Sequence, residues 1–277
     1  MTSTTPDLRD FAGRLVLVGA GKMGSALLEG WLRFGLDPKH ISVLEPQPTS
    51  QIAALATSGL QLNPQLRGLG DVAAIVIAVK PQTAAEAIPP LKPLIGASTV
   101  VVSIMAGRTL QFIAGALNAP CALVRAMPNT PAAIGRGITV AVPRDINPAQ
   151  RELADRLLCA TGTVEWTDDE ALMDAVTAVS GSGPAYVFLL AEALAEAGVA
   201  SGLPPSLAAK LARETVAGSG ELLHRSELDA AVLRQNVTSP GGTTAAALEV
   251  LMGKDGLMQL IRKAVAAATK RSRELAG

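Results

Sequence analysis

The segment that most restricts the fold is residues 15–24, which read LVLVGAGKMG. Four apolar residues, a Gly-x-Gly-x-x-Gly pattern and a helix-forming stretch predict a strand, a phosphate-binding turn and a helix. The first glycine would permit the tight turn, the second the approach of a pyrophosphate, and the third close packing of helix on strand. The helix N-terminus would attract the diphosphate. The candidate cofactor-binding residues here are Gly19, Ala20, Gly21, Lys22, Met23 and Gly24.

A second apolar run, residues 41–44, ends at Glu45, 21 residues after Gly24. A dinucleotide-binding unit needs an acidic residue at about this distance, because its carboxylate accepts hydrogen bonds from the ribose. A glycine-rich turn without such a partner can serve chain reversal only. The combination favours a nicotinamide or flavin dinucleotide site over a simple turn.

Composition limits the classes of partner. The 277 residues include 24 Lys plus Arg and 24 Asp plus Glu, so no net charge recruits nucleic acid or anionic lipid. No uninterrupted apolar run approaches the ~18 residues that cross a bilayer, which predicts no membrane partner. Two cysteines and two histidines argue against a disulfide framework and a histidine-rich metal site. We therefore expect a cytoplasmic protein without a bound metal.

Short apolar runs alternate with helical segments in the first half of the chain, which predicts an α/β fold with a parallel, doubly wound sheet of the Rossmann type. Ligands of such sheets bind beyond the carboxyl ends of the strands. After the two runs above, the predicted strands cover residues 74–79, 99–104, 122–126 and 137–142. Polar or backbone-exposing groups follow three of them and include the candidate cofactor-binding residues Lys80, Ala106 and Asn129.

The pattern changes at about Trp166, which predicts a dinucleotide-binding domain at residues 1–165 and an all-helical domain at residues 166–277. Residues 182–192, SGPAYVFLLAE, predict a helix with proline in its first turn. This helix is apolar on almost all sides, and its domain is too small to surround it. A symmetric partner would cover it, which predicts a homodimer, and a core helix within one monomer is the alternative.

A second cluster of glycines and hydroxyls lies at residues 238–244, which read TSPGGTT and precede a helix-forming stretch. Such a sequence gathers several backbone N–H groups around one point at a helix N-terminus. It predicts a trap for a carboxylate or a phosphate. The simpler alternative is an ordinary helix cap by the hydroxyl of Thr243 or Thr244.

Four signatures occur together in order: VKPQ at residues 79–82, RAMPNTP at 125–131, SGSGPAY at 180–186 and SPGGTT at 239–244. With them the chain resembles the pyrroline-5-carboxylate reductase family from about Leu15 to Leu275. The resemblance implies a Rossmann domain, an all-helical C-terminal dimerisation domain and, in some members, rings of dimers. It also implies the NAD(P)H-dependent reduction of 1-pyrroline-5-carboxylate to L-proline, the last step of proline biosynthesis.

The resemblance further implies site residues. Nicotinamide contacts fall on Val79, Lys80, Ala106 and Asn236, and substrate contacts fall on Glu170, Ser239, Thr243 and Thr244. The hydroxyl of Thr244 would polarise the imine nitrogen, with water or the substrate's own iminium as the proton source. Backbone N–H groups of Gly241, Gly242 and Thr243 would hold the substrate carboxylate.

Glu45 departs from the family, in which small hydroxyl or basic residues often follow the second strand and hold the 2′-phosphate of NADPH. A carboxylate would accept hydrogen bonds from the ribose 2′-OH and repel a 2′-phosphate, so we expect NADH to be preferred.

Two other functions stay open at this point. A related imine or β-hydroxyacid dehydrogenase would share the first domain but would normally use a catalytic lysine on the helical half. Lys210, the only lysine between Trp166 and Gly253, lies in a plain amphipathic pattern. A non-catalytic dinucleotide-binding protein is the second alternative, and the hydroxyl-rich loop argues against it.

Overall fold

The computed structural model describes residues 7–276, and of Ala276 only the backbone. The chain divides into two compact units, of which the first extends to Gly181 and takes in the chain from Thr269 onward, while the second is Ser182–Ala268. The first unit thus extends beyond the predicted boundary at residues 165 and 166. The reason is that the segment after the last strand packs on the sheet, where Met173 and Ala178 are fully buried.

The first unit is built on one eight-stranded sheet with the strand order β3-β2-β1-β4-β5-β6-β7-β8. Strands β2 and β3 lie on one side of β1, and β4 to β8 lie on the other. This reversal of strand order at β1 is the doubly wound arrangement that the sequence predicts. The strands are β1 Arg14–Val18, β2 Ile41–Leu44, β3 Gln61–Leu62, β4 Val72–Ile77, β5 Val100–Ser103, β6 Ala122–Met127, β7 Gly137–Arg144 and β8 Gly162–Trp166.

The prediction of an entirely parallel sheet was wrong at one pair, because β6 and β7 are antiparallel. Their connection is a short segment containing the 3₁₀ turn Thr130–Ile134, and a parallel crossover needs a dozen or more residues. Sequence analysis also missed β3 and β8. The two-residue β3 and the half-exposed edge strand β8 lack the continuous apolar run that reveals a strand buried on both faces.

Alternate residues of β1 supply the two hydrophobic cores on opposite faces of the sheet. Leu15 and Leu17 belong to one core, while Val16 and Val18 belong to the other. Period-two alternation directs successive side chains to opposite faces, and both faces are covered by helices. The continuous apolar run of β1 is therefore the consequence of burial on both sides.

Short helices connect the strands of the first unit, and several have well-formed N-termini. Thr109 caps α4 and Asn147 forms a capping box with Gln150 on α5. The helices are α1 Lys22–Arg33, α2 Ser50–Leu55, α3 Ala84–Ala87, α4 Leu110–Leu117, α5 Pro148–Cys159 and α6 Met173–Val176. A π-helical turn, Thr177–Gly181, follows α6.

The second unit contains helices only among its described residues. They are α7 Gly183–Ala200, α8 Pro205–Arg225, α9 Ala230–Asn236, α10 Thr243–Leu251 and α11 Leu257–Ala276, the last of which ends in the first unit. No residue of α7 is buried within the single chain, and Phe188 and Leu189 are 63% and 62% exposed. The alternative of a core helix within one monomer is therefore wrong. An exposed apolar surface of this kind is typical of an interaction site.

The helical stretch Glu170–Ala200 is long and apolar enough to cross a membrane by length and composition. The sequence prediction counted uninterrupted apolar runs and so missed this stretch, which Ser, Gly and Glu residues punctuate. Only about 6% of its most apolar window is buried within the single chain, and length and composition alone do not assign it to a bilayer.

Candidate active site

A cavity of about 740 Å³ opens at the carboxyl ends of β1, β2 and β4. This is the edge at which doubly wound sheets bind their ligands. It is lined by the glycine turn, the end of β2 and the loop after β4, including Gly19, Ala20, Gly21, Glu45, Val79 and Lys80. The structure therefore brings together six of the predicted cofactor-binding residues within the first unit.

Each glycine of the turn has a separate structural reason. Gly19 has φ +88°, and a Cβ there would lie 2.9 Å from the backbone of Ala78. A Cβ at Gly24 would overlap the carbonyl oxygen of Gly19, so close packing of α1 on β1 excludes any larger residue. A Cβ at Gly21 would meet nothing within 4 Å, which leaves room for a ligand beside the backbone. Lys22 and Met23 belong to the first turn of α1, with Gly21 as its N-cap.

Both carboxylate oxygens of Glu45 accept backbone hydrogen bonds. Oε2 accepts from the N–H of Ala20 at 2.8 Å, and Oε1 accepts from the N–H of Gln47 at 3.0 Å. The carboxylate is thus fixed between the glycine turn and the segment after β2. A carboxylate has about four lone-pair sites, so each oxygen can also accept a bond from a ribose hydroxyl.

Asn63 is a residue of this cavity that sequence reasoning missed. Its Oδ1 accepts from the N–H of Glu45 at 2.8 Å, and its Nδ2 donates to the carbonyl oxygen of Glu45 at 2.9 Å. An asparagine just after a two-residue strand carries no recognisable signal. Its left-handed backbone, φ +47°, is a conformation that asparagine adopts more readily than most residues.

Two further predicted cofactor contacts follow neighbouring strands. Ala106 is exposed in the loop after β5. Asn129 follows β6, and its Oδ1 accepts from the N–H of Ile138 at 2.9 Å, which ties the loop to β7. Their contacts with a cofactor stay a prediction. Asn236, the last residue of α9, is exposed in the second unit.

Glu170 forms a part-buried ion pair within the first unit. Its Oε1 accepts from Arg125 Nη1 and from the N–H of Leu110, each at 2.8 Å. The Arg125 side chain is only 5% exposed, whereas Glu170 is 30% exposed. The carboxylate therefore neutralises a buried guanidinium and binds the N-terminus of α4. Its predicted contact with substrate stays a prediction.

The hydroxyl-rich loop lies in the second unit and begins with a tight turn. The N–H of Gly242 donates to the carbonyl oxygen of Ser239 at 3.0 Å, and Gly241 has φ +69°. Proline at the second position and a positive-φ glycine at the third are typical of a type II turn. The Gly242 N–H is therefore engaged within the turn, and its predicted contact with a substrate carboxylate stays a prediction.

The helix after this turn has no side-chain cap. Gly242 is the N-cap of α10 and Thr243 is its first residue. The alternative of an ordinary cap by a threonine hydroxyl is therefore wrong. Thr243 is exposed and Thr244 is half-buried. Backbone N–H groups in the first turn of a helix have no partner within the helix, so Thr243 and Thr244 present the donors that an anion requires.

Neither thiol is suited to nucleophilic chemistry. Burial and the neighbouring carboxylate of Asp155 raise the pKa of Cys159 to about 12, and burial raises the pKa of Cys121. The thiolate is the reactive form of cysteine, and it is scarce at neutral pH under these conditions. Among residues 7–276 no group of three or more His, Cys, Asp or Glu residues is placed to hold a metal ion.

A doubly wound sheet, a glycine turn and a cavity at its carboxyl edge are typical of a dinucleotide-binding protein. The chain is 38% identical to the pyrroline-5-carboxylate reductase of Pseudomonas aeruginosa, over 95% of this chain and 97% of that protein. The chain belongs to the pyrroline-5-carboxylate reductase family. The family predicted from the sequence is thereby confirmed.

Solved structures and family models agree with this assignment. The pyrroline-5-carboxylate reductase of Coxiella burnetii matches with a TM-score of 0.88 and 33% identity, over 96% of this chain and 99% of that one. The Plasmodium falciparum enzyme, solved with NADP bound, matches with a TM-score of 0.79 and 29% identity, over 95% and 98%. Residues 14–107 match the model described as NADP oxidoreductase, coenzyme F420-dependent, and residues 170–275 match that of pyrroline-5-carboxylate reductase dimerisation.

Proposed function

We propose that this chain reduces 1-pyrroline-5-carboxylate to L-proline, the final step of proline biosynthesis, with a nicotinamide dinucleotide as hydride donor. The observation that carries this proposal is the agreement of the relatives along almost the full length of both chains. The related imine and β-hydroxyacid dehydrogenases gain no comparable support.

The cavity of the first unit fits a dinucleotide in three respects. Its volume is about 740 Å³, the backbone at Gly21 faces open space, and the N-terminus of α1 follows directly. A helix N-terminus with unpaired N–H groups is suited to a pyrophosphate. Val79 and Lys80 both line the cavity, and we propose that they contact the nicotinamide end of the cofactor, as the family resemblance implies.

The chemistry adds one hydride to the imine carbon and one proton to the ring nitrogen. When bound, the reduced nicotinamide supplies the hydride. In our proposal the hydroxyl of the half-buried Thr244 polarises the imine by donating a hydrogen bond to the lone pair of the neutral ring nitrogen. When the imine is protonated, and so the better electrophile, the same hydroxyl oxygen accepts a hydrogen bond from its N–H. The proton comes from water or is already on the substrate iminium, since a threonine hydroxyl is a poor acid.

The substrate carboxylate would bind at the start of α10. Because the Gly242 N–H is engaged within the turn, the donors that we propose first are the N–H groups of Gly241, Thr243 and Thr244, with the Ser239 hydroxyl as a further donor. These groups belong to one turn whose backbone is fixed by the Ser239 to Gly242 hydrogen bond. A fixed cradle of this kind orients the imine without reorganisation during the reaction.

NADH is proposed as the preferred cofactor. The carboxylate of Glu45 borders the cavity and is held by two backbone N–H groups. At this position it would accept bonds from a ribose 2′-OH and repel the charge of a 2′-phosphate. The Plasmodium falciparum relative was solved with NADP bound, so the comparison of NADH with NADPH decides this proposal.

A homodimer built through the second unit is also proposed. Residues 170–275 match a dimerisation model, and α7 exposes its apolar side chains in the single chain. Larger rings of dimers and a cytoplasmic location stay predictions from the sequence.

The activity is tested by following loss of the NADH absorbance with 1-pyrroline-5-carboxylate, for the wild type and Thr244→Ala. We expect turnover by the wild type and a severe loss in the variant, with cofactor affinity little changed. Binding of NADH without substrate-dependent oxidation by the wild type would instead support a dinucleotide-binding protein without turnover.

A further inference from the structure

The side chain of Asn63 pairs with both backbone polar groups of Glu45. Its Oδ1 accepts from the Glu45 N–H at 2.8 Å and its Nδ2 donates to the Glu45 carbonyl oxygen at 2.9 Å. Two bonds between the same pair of residues fix the Glu45 backbone in both translation and rotation. Asn63 and Glu45 also both line the 740 Å³ cavity.

The hydrogen bonds between Asn63 and Glu45 extend the pairing of β2 and β3 beyond their last backbone-to-backbone hydrogen bond. Strands β2 and β3 pair up to Val43 and Leu62, and the N–H of Asn63 still donates to the carbonyl oxygen of Val43 at 2.8 Å. At Asn63 the backbone then turns into the left-handed region, φ +47°, and can no longer follow the strand. The amide side chain takes over the donor and acceptor that the next backbone unit would have supplied.

The consequence reaches the carboxylate of Glu45. With its backbone held by Asn63, the side chain of Glu45 reaches the N–H of Ala20 at 2.8 Å, and its other oxygen reaches the N–H of Gln47 at 3.0 Å. The orientation of the carboxylate at the cavity therefore depends on contacts from both sides. Asn63 supplies the contacts on the side of β3.

We propose that Asn63 is a positioning residue for cofactor selection: it holds Glu45 so that the carboxylate meets a ribose 2′-OH and opposes a 2′-phosphate. This inference rests on the proposed preference for NADH. Asn63 is exposed and the two bonds are exposed as well, so their removal would not be expected to unfold the protein. The effect of Asn63 should appear in cofactor binding and not in the chemical step.

The test compares KM and kcat for NADH and NADPH in the wild type, Asn63→Gly, Asn118→Gly, Glu45→Gln and the double variant Asn63→Gly/Glu45→Gln. Glycine tolerates positive φ, so Asn63→Gly removes the amide without straining the backbone. Asn118 is a matched control, because it has φ +46° at the C-terminus of α4 and does not line the cavity.

For Asn63→Gly we expect the KM for NADH to rise about threefold to tenfold, as for the loss of one or two weak hydrogen bonds. The KM for NADPH should be unchanged or lower, and kcat at saturating NADH should stay within about twofold of the wild type. Asn118→Gly should leave the ratio of kcat/KM for NADH over NADPH unchanged. The double variant Asn63→Gly/Glu45→Gln should shift the ratio no further than Glu45→Gln alone.

The outcomes distinguish the role of Asn63 from the proposed preference for NADH on which it rests. A wild type without preference for NADH, or a Glu45→Gln variant with an unchanged ratio, would overturn the cofactor proposal and this inference with it. If the ratio of kcat/KM for NADH over NADPH falls in Glu45→Gln but is unchanged in Asn63→Gly, only the role of Asn63 is overturned. Equal increases in KM for both cofactors would also overturn it, since a structural defect of the cavity would not discriminate between them.

Discussion

The carboxylate of Glu45 and the N–H of Ala20 are joined by a hydrogen bond of 2.8 Å between the end of β2 and the glycine turn. The proposed ribose-binding acid and the phosphate-binding turn are therefore one connected structure. A change at Glu45 should alter cofactor choice.

Glu45→Gln keeps the size of the side chain and removes its charge. The repulsion of a 2′-phosphate then disappears and the ribose bond becomes weaker, because hydrogen bonds to charged groups are the stronger ones. We expect the ratio of kcat/KM for NADH over NADPH to fall about tenfold, equivalent to about 1.4 kcal/mol. Initial rates at fixed ionic strength measure it, and an unchanged ratio would show that the carboxylate does not select.

Thr244→Ala removes the hydroxyl proposed to polarise the imine. Loss of a positioned hydrogen-bond donor should lower kcat about 10²-fold. The affinity for NADH, measured by fluorescence titration, should change by less than about twofold. Thr244→Ser is the matched variant that keeps a hydroxyl, and it should retain most of the activity. Equal losses in the Ser and Ala variants would assign the defect to packing of the methyl group instead.

Glu170→Ala leaves the buried guanidinium of Arg125 without its ion-pair partner. Removing one member of a buried pair costs about 3–5 kcal/mol, because the remaining charge is not solvated. The part-exposed carboxylate places the expected loss near the lower limit, about 3 kcal/mol of unfolding free energy. Denaturant titration measures this value. A loss below about 1 kcal/mol would show that water solvates the Arg125 side chain.

The two thiols should react slowly in the folded protein. With its pKa raised to about 12, the thiol of Cys159 is protonated at neutral pH, and thiolate appears only as pH rises toward that value. Burial shifts Cys121 in the same direction. Iodoacetamide labelling at pH 8 should therefore be much slower than for a free cysteine peptide and should accelerate on unfolding. Rapid labelling of the native protein would contradict the raised pKa values of these part-buried thiols.

Phe188→Asp places a charge on the exposed apolar surface of α7, where Phe188 is 63% exposed. If a second copy covers this surface, the buried carboxylate opposes association. Light scattering after size exclusion should show a dimeric wild type and a mainly monomeric variant. Gln65→Asp, at an exposed residue of the first unit, should leave the mass unchanged. A monomeric wild type would refute the dimer.

The buried strands and the glycine turn could be predicted because each is dictated locally. Continuous apolar runs report burial on both faces, as in β1 and β4. Gly19 is required locally by its positive φ, and Gly24 by its close approach to the Gly19 carbonyl oxygen. The edge strand β8 lacks this pattern, since alternate residues are exposed.

The remaining features depend on contacts between distant segments. Arg125 and Glu170 are 45 residues apart, and nothing in the sequence around either residue shows that they pair. Asn63 and Glu45 are 18 residues apart and meet only because β2 and β3 are neighbours. The engagement of the Gly242 N–H depends on the closure of its turn, since a single sequence shows which N–H groups exist but not which are already bonded.

The most direct test of the account is the fate of the hydride. Dideuterated NADH, labelled at C4 of the nicotinamide, is incubated with the protein and 1-pyrroline-5-carboxylate, and the product is analysed by mass spectrometry and NMR. The account predicts L-proline with one deuterium on its Cδ, the former imine carbon. Unlabelled proline, or NADH consumption without proline, would contradict it.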